Sequence, residues 1–456
     1  MKGAMQRYDY VYVTSYNECD EALVLGLQKA FAAHGRSFAV LGYVSRYVEN
    51  LYRALAVPFI NLRRSGRLPK LNEERIATLQ KSLGTTIAEF VFPESRYYKT
   101  APSKLYRRLD AIMSGFEQIG QRYAIGCMIH KLGAELIRRC AMVYARANGV
   151  ETVIMGTFPA HFAGRSYLHR QLSSERDRTG FPPANDHDEV SFEAFNALLD
   201  RIRDKKEVIH YPAPGSRRWS EAASLLLSML RHGEYEFVED MLGRRIELVR
   251  FRLRHALSYL GATERIPEGK FHFFPLHVFD DSQITVRNPQ FFDQFWIIEY
   301  ISRVLPHGVK LVVKLHPGLD GAVPASFVFR VKALKNVVLM RGKVNSHEVI
   351  KRAAGVIVIN STVAFEALLQ NKPVLVLGHW AFGHLGMTQH ADDLRALPQA
   401  LARLEHARPD EAAVRRTLYD LYGEMYRCSY NREPVDYGAL ASAVMDYVGD
   451  RAVHAP

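Results

Sequence analysis

With 456 residues, 48% of them hydrophobic and 24% charged, the chain is too long for one ordinary core and too apolar for disorder, so two domains or three are expected. A net charge of +12 asks for an anionic partner; with no zinc-finger spacing and no RNP-like aromatic strand, the reading turns from nucleic acid to an anionic membrane surface or anionic small substrates. No run of about 18 apolar residues predicts a membrane-spanning helix, the start MKGAMQRYDYVYVTSY lacks a signal-peptide stretch, and four scattered cysteines (Cys19, Cys127, Cys140, Cys428) read as reduced thiols of a cytoplasmic protein.

In chain order, YDYVYV opens with a strand. The segment NECDEALVLGLQKAFAAHG follows as a helix, with Asn17 or Asp20 as its N-cap and Gly35 just past its end. SFAVLGY and PFINL are the next strands, separated by a helix, so βαβ alternation is already established. From Ser103 to Ala147 the pattern reads as helical throughout, and ETVIM is then an apolar strand. The polar stretch from Gly156 to Asp188 sets Arg165, His169, Arg170, Arg176 and Arg178 among aromatic and hydroxyl side chains directly after that strand. A loop of this length is usually functional or mobile, and it is the candidate for binding an anionic acceptor. EVIHYP reads as a last strand of this half, and Arg217 to Leu260 as two long amphipathic helices. Their leucine stripe is a core stripe or a basic face on anionic lipid. Lys and Arg also thicken at Arg96–Arg108, which reads chiefly as solvated surface.

GATERIPEGK is a linker and marks the domain boundary. The predicted division is 1–262 for an acceptor-side Rossmann-like domain with helical insertions, 263–425 for a nucleotide-binding Rossmann-like domain, and 426–456 for a helical tail. In the second domain five short strands, each apolar on both faces, alternate with amphipathic segments: FHFFPLHV, KLVVKL, NVVLM, GVIVI and PVLVL. That is a parallel sheet covered on both sides. The predicted fold class is therefore α/β, with two Rossmann-like domains, parallel sheets and extra helices.

Ligands of such sheets sit beyond the carboxyl ends of the strands. Those ends carry Asp280–Asp281, His316–Pro317, Asn360–Ser361–Thr362 and Gly378–His379. Ser361 or Thr362 is placed to cap a helix whose first N–H groups bind phosphate. Glu366, one turn in, is placed to accept from ribose hydroxyls. His316 is a donor to phosphate or base, held by Pro317 at the strand stop. The adjacent carboxylates are apt as a metal ligand, nucleophile, base or turn cap; no second carboxylate cluster accompanies them, so no metal is expected. GHWAFGHLGMT is a glycine-punctuated loop placed to close over a ligand or to pack back on its domain.

The order PLHVFDDSQI, KLHPG, INSTVAFEALLQNKPVLVLGHWAFGHLGMT, over roughly residues 271–390, resembles the capsule polysaccharide biosynthesis family, whose best-understood members are bacterial β-Kdo transferases. The resemblance implies a GT-B fold and a glycosyltransferase of capsule-type polysaccharide or glycolipid synthesis, using CMP-Kdo with retention at the anomeric carbon. It implies Asp281 as nucleophile, with Asp280 and His277 in the catalytic set. The implied donor site is Lys314, His316, Pro317, Asn360, Ser361, Thr362, Glu366, Gly378, Gly386 and Thr388. The acceptor, a glycolipid or oligosaccharide, falls to Arg165, His169 and Arg170. His277 stands where the family usually has Gln, Ala364 where it has Gly, and Met387 where it has Leu. No cofactor or metal is implied beyond the CMP-sugar itself, and the implied place is the cytoplasm, on the inner face of the cytoplasmic membrane. The alternatives are transfer of sialic acid or another nonulosonate from a CMP donor, a non-catalytic glycan-binding assembly or export subunit, and, more remotely, transfer of a polyol phosphate from a CDP donor.

Overall fold

The structure is a computed structural model. It describes all residues except 1–4, 17–18, 64–67, 99, 157–164, 171–189, 205–218, 244–245, 247–249, 251–260, 280, 318–322, 381–382, 392, 429–434 and 450–456. The chain divides into two compact units. The first comprises Met1–Ala184, His210–Arg244 and Met425–Pro456, and the second Asn185–Ile209 and Arg245–Glu424.

The first unit is built on β1 (Gln6–Val13), β2 (Phe38–Gly42), β3 (Phe59–Asn61), β4 (Tyr123–Lys131), β5 (Glu151–Met155) and β6 (Leu168–His169). Their order across the sheet is β3-β2-β1-β4-β5-β6, all parallel except β6, which runs antiparallel to β5. The central strand β4 lies inside the stretch that reads as wholly helical in sequence. Its residues Tyr123, Ala124 and Gly126 carry no helix-breaking run, but Gly126 faces the backbone of β1 so closely that a Cβ there would lie 2.7 Å from the Asp9 carbonyl oxygen. The flanking segments Pro102–Ile119 and Leu136–Asn148 are the helices expected.

Two segments cross the division expected from chain order. Helix Phe192–Arg203 belongs to the second unit, where the Arg415 guanidinium donates to Asp200 at 2.7 Å and the Tyr419 hydroxyl to the Val190 carbonyl. Helix Tyr437–Tyr447 is part of the first unit's core: Leu440, Ala441, Val444 and Met445 are buried in one cluster with Leu23, Val24, Leu27 and Phe31 of helix Glu21–Ala33. Neither placement is legible in local periodicity, because each depends on a partner distant in sequence.

The carboxyl edge of the first sheet is occupied by charge. Arg108, fully buried, pairs with Glu94 at 3.0 Å, Asp240 at 2.6 Å and Glu236 at 3.4 Å. Arg63, just past β3, pairs with Glu234 and Glu236, and Lys104 with Asp240. Tyr16 past β1 and Tyr43 past β2 donate to Glu94 and Glu236. The basic thickening at 96–108 is thus in part interior: Arg108 neutralises carboxylates brought by residues 234–240 instead of facing solvent.

The second unit holds β7 (Phe271–Pro275), β8 (Lys310–Lys314), β9 (Val337–Met340), β10 (Gly355–Val358), β11 (Val374–Val376) and β12 (Gln389–His390), in the order β12-β11-β10-β7-β8-β9, all parallel. Val312, Val313, Ile357 and Leu375 are fully buried, each contributing about 1.5–3 kcal/mol. The linker residue Thr263 lies against the outer edge of β9. The strands are all parallel, but β8 and β9 are laid down on one side of β7 and β10 to β12 on the other, so the loops after β7 and β10 leave side by side in opposite senses: the switch point of a doubly wound sheet.

Candidate functional site

β7 stops at Pro275, short of the expected Val278, because Gln294 takes over the backbone: the His277 N–H donates to Gln294 Oε1 at 2.8 Å, and Gln294 Nε2 donates to the His277 carbonyl at 3.0 Å. Gln294 is fully buried, so this amide clamp fixes the loop that bears the carboxylate. Asp281 then caps the short helix Ser282–Thr285, its Oδ1 accepting from the Gln283 N–H at 2.9 Å. One carboxylate oxygen is thereby held in place. Asp280 lies outside the described residues.

His277 is buried, and among the described residues its Nε2 meets no hydrogen-bond partner. Burial lowers its pKa to about 4, with Asp281 pulling upward and His316 pushing further down. The imidazole is neutral at pH 7. His316, at the end of β8, has an exposed face, yet the packed side of its ring and then the Lys314 ammonium lower its pKa, while Asp281 raises it. These three groups share one electrostatic site. Lys314 is buried and donates to the Gly342 carbonyl at 2.8 Å, so it acts on the site through its charge.

Because folded His277 refuses a proton that the unfolded chain accepts, its contribution to stability is present above about pH 6.5 and falls as pH drops toward about 4, at up to about 1.4 kcal/mol per pH unit. Fully buried His130, lowered to about 3 by burial and by Arg138, adds the same sign over a wider window. Urea unfolding at pH 7, 6 and 5 checks this: His277→Asn flattens the slope, and an unchanged slope rules the residue out as its source.

Asn360, Asn288 and Gln283 tie the switch-point loops together. Asn360 Nδ2 donates to Gln283 Oε1 at 2.8 Å, and Asn288 Nδ2 donates to the Gln283 carbonyl at 3.2 Å. Asn288 Oδ1 accepts from the His379 N–H at 2.7 Å. Gly378 makes room for this: a Cβ there would sit 2.3 Å from Asn288 Oδ1. Asn360, expected to meet donor, therefore spends its amide hydrogens on the turn that carries Asp281. Gln283, Asn288 and Gln294 escaped the sequence reading, since isolated amides have no periodicity or motif; only their position in the loops after β7 marks them.

Ser361 Oγ accepts from the Val363 N–H at 3.2 Å, while Thr362 makes no capping bond. Glu366 Oε2 lies 3.1 Å from His347 Nε2. Thr388 Oγ1 bonds His390 Nε2 at 3.0 Å, and Gly386 takes the left-handed conformation that favours glycine, with φ 72°. Pro317 is exposed beside His316.

In the first unit, Arg165 is buried and donates to the Met425 carbonyl at 3.0 Å, which makes it part of the packing there. The β6 hairpin returns Arg170 to the start of β5. Its guanidinium there is 3.8 Å from Glu151 and its carbonyl accepts from Thr152. That is the amino end of the strand, opposite the edge where ligands of such sheets bind, so the expected acceptor trio is not assembled at one edge. His169 packs over Gly156 at the carboxyl end of β5.

The described residues fold into two Rossmann-like units, each built on a six-stranded, mostly parallel sheet. Residues 238–420, about two fifths of the chain, match the family model described as capsule polysaccharide biosynthesis protein. The chain is similar to Protein FixF of Sinorhizobium fredii, 30% identical over 179 residues, covering 39% of this chain and 42% of that protein. It is also similar to the capsule polysaccharide modification protein LipB of Neisseria meningitidis serogroup A, 24% identical over 199 residues, covering 42% and 43%. The matched stretch thus spans less than half the length of these relatives. Among solved structures it resembles Thermosulfurimonas dismutans KpsC, a beta Kdo 2,7 transferase, at 13% identity, TM-score 0.34, covering 91% of this chain and 99% of that one. It likewise resembles CalG4, the calicheamicin glycosyltransferase, at 14% identity, TM-score 0.31, covering 99% and 100%. Among the described residues no helix is long and apolar enough to cross a membrane, and no group of three or more His, Cys, Asp or Glu is placed to hold a metal ion.

Proposed function

We propose that the chain is a glycosyltransferase of capsule-type polysaccharide or glycolipid synthesis that transfers Kdo from CMP-Kdo with retention. The observation that supports it most is the grouping of Asp281, His277 and His316 at adjacent strand ends inside the segment 238–420 that matches the capsule family. In this reading the free oxygen of Asp281 attacks the anomeric carbon of Kdo. The bond from that carbon to the phosphate oxygen breaks, and CMP leaves with its electron pair. An acceptor hydroxyl then attacks the same carbon, releases the Asp281 carboxylate and passes its proton to the phosphate of the departing CMP or to water, and two inversions amount to retention. His316, with the hydroxyls of Ser361 and Thr362, meets the departing phosphate, and Lys314 adds positive potential, which leaves no step requiring a metal or other cofactor. Neutral His277 serves as a hydrogen-bonding group beside the nucleophile and carries no charge of its own.

The acceptor is a glycolipid or oligosaccharide, met at a cytoplasmic membrane face. Leu227 and Leu230, exposed at 67% and 43% on the helix that ends in Arg231, are the surface proposed to meet anionic lipid. Co-sedimentation with phosphatidylglycerol vesicles is expected to fall in Leu227→Glu; undiminished sedimentation removes this surface from the reading. For the donor, calorimetry with CMP, UMP and ADP, followed by CMP release from CMP-Kdo, is the test. Selective CMP binding with turnover supports the proposal. Selective CMP binding without it moves the donor to another CMP-activated nonulosonate, and no preference for CMP overturns the reading in favour of a glycan-binding subunit. His316→Ala is expected to weaken CMP binding by about tenfold.

A further inference from the structure

The carboxyl edge of the first sheet, where ligands of such sheets bind, is filled by one short segment of the same unit. That segment follows helix Trp219–Arg231 and is itself helical over 235–243. Glu234 Oε1 accepts from the Arg46 N–H at 2.8 Å, at the start of helix Arg46–Ala54, and from Arg63 at 3.0 Å. Glu236 Oε1 accepts from Arg63 Nε at 2.9 Å and from the Tyr43 hydroxyl at 3.1 Å. Between these carboxylates and Asp240 the segment inserts Phe237, buried against the rings of Tyr16 and Tyr43, with the Arg63 guanidinium 5.3 Å from its centre. Its other side carries Tyr235, Glu239 and Leu242, all exposed. Asp240 is anchored separately, on Thr100, Lys104 and Arg108, and Arg108 also keeps Glu94. The segment thus presents two anions and an aromatic face to one guanidinium, one helix start and two tyrosines.

We propose that residues 234–237 are a strap over a binding basin for acidic glycans, lined by Arg63, the Arg46 N–H, Tyr16 and Tyr43, and that an acidic glycan opens it by replacing Glu234, Glu236 and Phe237. A sugar ring bearing a carboxylate has the two features the strap supplies: an apolar face for the tyrosines and an anion for the guanidinium. Charge selects the ligand. A neutral glycan that displaced the strap would leave Arg63 without its anions, whereas an acidic one exchanges carboxylate for carboxylate and keeps the charge balanced. Asp240 and Glu94 hold Arg108 throughout, so opening the strap leaves the charged floor of the basin intact. That this glycan is the acceptor of transfer rests on the function proposed above; the basin and its strap do not.

Two measurements on the full chain test it. In calorimetry a sialic acid hexamer is expected to bind and maltohexaose is not. Joint Glu234→Gln and Glu236→Gln substitution is expected to tighten binding of the acidic hexamer by about tenfold, and Arg63→Gln to weaken it by about tenfold, the loss of one charge-assisted pair. Hydrogen exchange on the unaltered chain depends on no variant's folding. The Phe237 and Val238 N–H groups, which donate to the Glu234 carbonyl, are expected to exchange faster when the acidic hexamer is added, while those of β1 and β2 keep their rates. Binding of the hexamer with no change at 237–238 overturns the strap. Undiminished binding by Arg63→Gln, or no binding by the doubly substituted chain, overturns the basin. Faster exchange with phosphatidylglycerol vesicles and none with the hexamer overturns the glycan in favour of a lipid surface. If these results hold and CMP-Kdo is not turned over, the basin stands and only its link to transfer falls.

Discussion

Asp281→Asn is expected to abolish transfer while leaving fold and CMP affinity intact. The asparagine oxygen still accepts from the Gln283 N–H, so the cap on Ser282–Thr285 survives. What is lost is the oxygen proposed as nucleophile, and the expected fall in rate is about 10³-fold or more. Asp281→Ala removes both the proposed nucleophile and the cap, adding about 1 kcal/mol of instability. Comparing the two variants separates chemistry from scaffolding. Near-normal release of CMP from CMP-Kdo by the asparagine variant would remove Asp281 from the mechanism.

The largest effect on stability is expected at Arg108. Its guanidinium is fully buried against Glu94, Asp240 and Glu236, and Arg108→Met leaves those carboxylates without their central cation. A loss of about 3–5 kcal/mol is expected. Chemical denaturation monitored by circular dichroism reads it directly. A loss below 1 kcal/mol would mean that Arg63 and Lys104 carry the neutralisation by themselves.

The parallel strands of the second unit were legible because each is a short apolar run ended by a polar turn, and four of the expected strands end within two residues of the observed limits. The fifth, from Phe271, ran three residues too far, since nothing in LHV announces that a buried amide from Gln294 will replace the neighbouring strand. The candidate donor residues could be placed at strand ends because a doubly wound sheet dictates where its loops go. Their mutual bonding was not legible. Asn360 serving Gln283, and His347 serving Glu366, are side-chain choices made across sequence gaps of 77 and 19 residues. Strand β4 was missed because the amphipathic helices on either side carry a stronger signal than nine residues interrupted by Gly126. Arg108 was read as surface for a related reason: composition counts charge but does not say which charges have partners.

The closing helix Tyr437–Tyr447 packs on Glu21–Ala33, the ring of Tyr437 lying so near Gly26 that an added Cβ would be 2.3 Å from it. A chain made from its amino end has the residues of the first sheet before those of the second, yet the first unit is finished last. While roughly 400 further residues are translated, at about 5–20 residues per second, the apolar face of Leu23, Val24, Leu27 and Phe31 lacks its cover. The second unit, whose segments end at Glu424, has all its parts earlier. Order of synthesis and order of completion are therefore reversed, and the nascent first unit is the stretch that a chaperone would be expected to hold.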